Sequence, residues 1–63
     1  MIWEMTYFNF KDENAEDVIF EVVANTPGEA IEMSELIIGE ETDNPEDYQF
    51  KGLVLSTSEK ERV

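Results

Sequence analysis

Residues 2–10, IWEMTYFNF, are apolar or aromatic at both parities: Trp3, Met5 and Tyr7 on one, Ile2, Phe8 and Phe10 on the other. A run dressed on both sides predicts a strand at the centre of a sheet, with both faces in demand of cover. Residues 11–16 are polar and predict a hairpin loop. Residues 17–25 predict a second strand, with Val18, Phe20, Val22 and Ala24 on one face. Glu21 and Asn25 mark its wetter face, with Ile19 and Val23 between them. The stretch Thr26, Pro27, Gly28, Glu29 reads as a helix start. Thr26 caps by accepting from the Glu29 amide, the Glu29 carboxylate returns to the Thr26 amide, and Pro27 occupies the first helical position. The helix is expected to run to about residue 38, with Gly39 as its stop. Its core face is predicted as Ala30, Met33 and Ile37, flanked by Ile31 and Ile38. Residues 40–47 form an acidic loop and residues 48–57 a third strand. Within that strand the apolar phase switches between Tyr48 and Phe50 on one side and Leu53 and Leu55 on the other; Gly52 lies at the switch and suggests a bulge.

The expected fold is therefore α+β, in the order β-β-α-β, with a three-stranded antiparallel sheet and one helix on one face. The first strand is central. Residues 1–63 make a single domain, with 58–63 a frayed tail. One helix cannot cover both faces of the sheet, and a chain of this size gains stability by association. A homodimer is the expected state, with Trp3, Met5 and Tyr7 as its interface.

Composition removes several functions. The 63 residues contain no cysteine and no histidine, so disulfides and an ordinary zinc site are excluded, and the usual general base is missing. Ser34, Ser56, Ser58, Thr57 and Tyr48 have no evident activating partner, so no enzyme activity and no cofactor are expected. The oxygen-rich loops at 12–17 and 41–47 depart from the twelve-residue calcium-loop pattern and read as solvated turns. No apolar run reaches the roughly 18 residues of a membrane span, and the start of the chain lacks a signal peptide's basic opening. The reading is a cytoplasmic protein.

Charge then sharpens the picture. Sixteen Asp and Glu oppose four Lys and Arg, for a formal net charge of −12. Direct contact with nucleic acid or an anionic membrane is disfavoured. Between Asp12 and Phe50 lie thirteen acids and no base. The helix forgoes every Glu-to-Lys pair, and Glu40 and Glu41 sit by its C-terminus, where the macrodipole disfavours anions. Solubility asks for a net charge of only about 2–8. Rules broken with no local gain point to function. A compact chain of this length spans roughly 27 Å, over which duplex DNA carries about 16 charges.

In size, charge and the acid-only stretch from Asp12 to Asp47, the chain resembles the DNA-mimic proteins with which phages disarm host DNA-binding proteins. Among these it is similar to the phage inhibitors of the bacterial nucleoid protein HU, which are small acidic dimers. The resemblance implies a basic DNA-binding protein of the host as partner and the host cytoplasm as location. It also leaves restriction enzymes, uracil-DNA glycosylase, RNA polymerase and CRISPR effectors open as targets. The partner-binding residues are expected to be Glu29, Glu32 and Glu35 on the helix, with Glu40, Glu41, Asp43, Glu46 and Asp47 after them. Asp12, Glu13, Glu16 and Asp17 of the hairpin loop are a second set. The alternative is an acidic interaction or regulatory module, antitoxin-like, that binds through its sheet instead of by charge.

Uncompensated acids repel one another more in the folded chain than in the expanded one. Raising salt from 0.01 to 0.1 M shortens the screening length from about 30 to about 10 Å. The melting temperature, followed by circular dichroism, is expected to rise over that range; a flat or falling response contradicts the argument.

Overall fold

Strand β1, Ile2–Asn9, pairs antiparallel with β2, Val18–Val23, on one side and with β3, Tyr48–Leu55, on the other, giving the sheet order β2-β1-β3. This is the architecture of a computed structural model that describes residues 1–56; the expected tail at 58–63 and the end of the third strand at Thr57 lie outside the described residues. Helix α1, Pro27–Glu41, crosses one face of the sheet. A short 3-10 turn, Pro45–Asp47, leads into β3. The expected α+β order β-β-α-β is observed, with β1 central.

Register fixes which side chains meet the helix. Trp3 lies opposite Val22 and Leu55, Met5 opposite Phe20 and Leu53, and Tyr7 opposite Val18 and Phe50. Directly opposed residues share a face, so all of these lie on the helix side. Met5, Val22, Ala24 and Ala30 form the buried cluster, with Trp3, Phe20, Ile31, Ile37, Phe50 and Leu53 packed around it. The Tyr7 ring stacks on Phe20 at 5.9 Å and meets Phe50 edge-on at 5.8 Å. The Trp3 indole N–H donates to the Ala24 carbonyl at 3.1 Å.

This corrects the expected dimer interface. Met5 and Tyr7 are buried within one chain, and Trp3 packs against the same core. They lie under α1 and cannot present a surface to a second copy. The parity left uncovered is the other one.

The bulge in β3 explains its switch of phase. Thr6 faces Gly52 while Tyr7 faces Phe50, so Lys51 is the extra residue. One added residue brings Tyr48, Phe50, Leu53 and Leu55 to the helix side despite their different parity. No residue of the described chain has positive φ, so the bulge needs no left-handed backbone.

Helix α1 departs from expectation in three ways. Its start uses the Thr26 cap, with the Glu29 N–H donating to Thr26 Oγ1 at 3.1 Å, but the Glu29 carboxylate accepts from the Asn25 amide at 2.9 Å, one residue earlier than a capping box. Its end lies beyond Gly39, which stays helical; the Thr42 amide donates to the Ile38 carbonyl at 3.2 Å and Thr42 is extended. A glycine stop requires positive φ, and Gly39 does not adopt it. Finally, the buried stripe is Ala30, Ser34 and Ile38, while Met33 lies at the exposed border and Leu36 is 81% exposed. The core face is thus rotated toward Ser34. A small side chain there lets the helix sit close over Tyr7.

The Ser34 contact is a directed chain. The Ser34 hydroxyl lies 2.8 Å from the Ile31 carbonyl, which can only accept, so Ser34 donates there. Tyr7 Oη, 2.8 Å from Ser34 Oγ, is therefore the donor to Ser34. Tyr7→Phe removes one hydrogen bond and is expected to cost about 1 kcal/mol, whereas Ser34→Ala strands the buried phenol and costs about 1–3 kcal/mol. Urea unfolding of both variants and their double mutant reads this: the double is expected to cost less than the sum, and strict additivity contradicts the contact. A side chain at Gly39 would meet nothing within 4 Å. Gly39→Ala is accordingly expected to stabilise the helix by about 0.5–1 kcal/mol, and a loss of stability in the same unfolding experiment contradicts the helical placement.

Candidate acidic interaction surface

The topology brings the hairpin-loop acids and the later part of the first expected set, from Glu40 onward, to one end of the molecule; Glu29, Glu32 and Glu35 are not among them. Strand β1 ends at Asn9, β2 begins at Val18, α1 ends at Glu41 and β3 begins at Tyr48, all at this end. The Phe10 amide donates to the Asp47 carbonyl at 3.0 Å, tying the hairpin loop to the turn before β3. Asp12, Glu13, Glu16 and Asp17 thereby share a pole with Glu40, Glu41, Asp43, Glu46 and Asp47. Of these, Asp47 is half-buried and the other eight are exposed.

Local hydrogen bonds hold this pole in shape. Asn9 Oδ1 accepts from the Lys11 and Asp12 amides, each at 2.8 Å, and Asp12 Oδ1 accepts from the Asn14 amide at 3.0 Å. The Asn44 side-chain amide donates to Asp47 Oδ2 at 3.1 Å, and the Thr42 hydroxyl donates to Asn44 Oδ1 at 2.9 Å. Asp12 and Asp47 are thus turn-building residues as well as charges. Since α1 includes Glu40 and Glu41 in its last turn, and not after it as expected, their carboxylates add to the negative end of the helix dipole.

The helix stripe is split in role. Glu29, Glu32 and Glu35 are all exposed. Glu29 caps the helix, which leaves Glu32 and Glu35 on the long side of the molecule, away from the sheet. Charge compensation is slight. Among the described residues the one salt bridge joins Lys51 Nζ to Asp17 Oδ2 at 2.9 Å, with side chains 58% and 33% exposed. An exposed pair of this kind contributes about 0–1 kcal/mol. Lys51 is the bulge residue of β3, and its reach to the start of β2 carries it across β1. Beside it a groove of about 480 Å³ is lined by Phe8, Asn9, Phe10, Glu13, Ala15, Asp17 and Lys51. Lys11 Nζ sits 5.9 Å from the centre of the Phe10 ring.

The molecule is longer than a compact chain of its size. Its Cα radius of gyration is 12.3 Å, against roughly 10.6 Å for a compact 63-residue domain. Its extents are 40 × 21 × 17 Å. Duplex DNA of that length carries about 24 charges, and one of its strands about 12. The net charge of −12 matches the single strand. No three carboxylates among the described residues converge as a metal site, and no described helix is long and apolar enough to cross a membrane.

Sequence reasoning passed over two features. Glu4 and Glu21 lie directly opposite each other on the side of the sheet away from α1. Glu21 is legible as a wet-face residue, but the pairing needs the register. Ser34 reads as a polar interruption in an apolar stripe, and its burial became visible only with Tyr7 above it. Comparison with protein-family models, with curated proteins and with solved structures finds no match.

Proposed function

We propose that this chain is a DNA-mimic inhibitor that occupies the basic nucleic-acid-binding surface of a DNA-binding protein in the bacterial cytoplasm. The observation that carries the reading is the acidic pole. Two segments far apart in sequence, the 12–17 loop and the helix C-terminus with the loop that follows it, present their carboxylates together, with Lys51 taken up by Asp17. A pole of this kind steers a basic groove toward it and stabilises the encounter through carboxylates meeting Lys and Arg. The match to one DNA strand in charge over length suits a surface that grips a duplex from one side. In line with the resemblance, the first partner to test is the nucleoid protein HU.

The test is competition. HU holding a labelled duplex is titrated with the protein, and displacement is read by fluorescence anisotropy at several salt concentrations. Displacement is expected, with an affinity that falls steeply as salt rises. Glu41→Lys/Asp43→Lys/Glu46→Lys reverses three exposed charges at the pole and is expected to weaken displacement at least tenfold, a change of about 1.4 kcal/mol or more. Glu32→Lys/Glu35→Lys, on the long side of the helix, is expected to weaken it less. Equal displacement by the pole variant, or no displacement by wild type from HU or any of a panel of basic DNA-binding proteins, contradicts the reading.

A further inference from the structure

We propose a second binding surface, separate from the acidic pole: the sheet face opposite α1, as a dock for a cationic amphipathic helix of another protein. On this face the residues run in rows. Val23 lies beside Ile2; Glu21, Glu4 and Val54 form the next row; Ile19 and Thr6 form the third. Ile19, Val23 and Val54 are 57%, 67% and 58% exposed. Scattered apolar residues on a surface need no explanation, but neighbours in consecutive rows make a patch, and patches mark contacts.

Charge and width select the occupant. Like charges directly opposite on neighbouring strands destabilise a sheet. Glu4 and Glu21 are such a pair, and among the described residues neither forms a salt bridge. A cation placed between them turns the repulsion into two attractions, and a guanidinium offers each carboxylate a fork of N–H donors. A second copy of this chain packed face to face would instead enclose four carboxylates, and the one cation each copy brings to this face among the described residues, Lys51, is already paired with Asp17. The face measures two strand spacings across, about 9.6 Å, and one α-helix is about 10 Å in diameter. α1 covers the opposite face alone in the same way. Rows along a strand repeat every two residues, about 6.8 Å, and four residues of a helix rise about 6.0 Å. The partner helix is therefore apolar at i, cationic at i+4 and apolar at i+8, with the cation over Glu4 and Glu21.

The probe is an 18-residue helical peptide with Leu at i and i+8 and Arg at i+4, compared with the same peptide carrying Gln at i+4. Binding is measured by anisotropy and mapped by amide NMR shifts on the full chain. The Arg peptide is expected to bind at least tenfold more tightly than the Gln peptide and to shift Ile19, Glu21, Val23 and Val54. Glu4→Gln/Glu21→Gln is expected to erase that difference while melting at or above wild type, because it removes a repulsion. Val54→Glu, at an exposed position, is a second variant expected to abolish binding. The pole variant Glu41→Lys/Asp43→Lys/Glu46→Lys is expected to bind the peptide within threefold of wild type, so failure here and failure of the DNA-mimic reading are distinguishable. Equal affinity for both peptides, or shifts confined to the pole, overturns the proposal. So does a wild-type dimer in sedimentation that Val23→Glu dissociates, which assigns the face to a second copy. Binding seen only after removal of residues 57–63 assigns it to the chain's own C-terminal segment and overturns the proposal equally.

Discussion

A single helix meeting a sheet with two faces is the constraint from which the rest follows. Among the described residues one α-helix is long enough to cover a sheet face, and β1 carries apolar side chains on both. Packing decides which parity is covered. Trp3, Met5 and Tyr7 are the larger set and are matched across the strands by Val22, Phe20, Phe50 and Leu53. Ala30 and Ser34 let α1 approach this side closely, and the Tyr7–Ser34–Ile31 chain of hydrogen bonds sets the helix over it. The opposite face is left with Ile2, Phe8, Ile19, Val23 and Val54 around two glutamates.

The same connectivity arranges the charge. An antiparallel hairpin and a helical crossover return the chain to the end of the sheet where β1 finishes. Loops rich in acids at 10–17 and 42–47 therefore become neighbours, joined by the Phe10–Asp47 hydrogen bond. Repulsion among them weakens the fold, and the bases available to offset it are few. The bulge sends Lys51 to Asp17, and among the described residues Glu4 and Glu21, side by side on the same face, form no salt bridge. One topology thus produces two surfaces of different chemistry, a charged pole and an apolar face with an acidic centre.

Much of the fold is legible in the sequence because its signals are local. The two-sided dressing of residues 2–10, the Thr26–Pro27 start and the phase switch at Gly52 each have a direct counterpart in the structure. The failures are those where tertiary context overrides a local rule. Gly39 reads as a stop, yet without a left-handed backbone it is carried as a helical residue to Glu41. Met33 reads as core, yet the helix is rolled toward Ser34 because a polar side chain with a buried partner packs closer than a methionine. Trp3, Met5 and Tyr7 read as an interface because sequence parity cannot say which face of a central strand the helix chooses. The acidic sets at 12–17 and 40–47 were visible as separate runs; their meeting at one pole depends on topology.

The choice of face is the central claim, since both surfaces are defined by it. The most direct measurement is paramagnetic relaxation of side-chain methyl signals by a neutral, soluble probe added to the 63-residue chain. The account predicts strong broadening at Ile19, Val23 and Val54 and protection at Met5, Val22 and Ala30. Protection of Ile19, Val23 and Val54 together with broadening of Met5 and Val22 would contradict it.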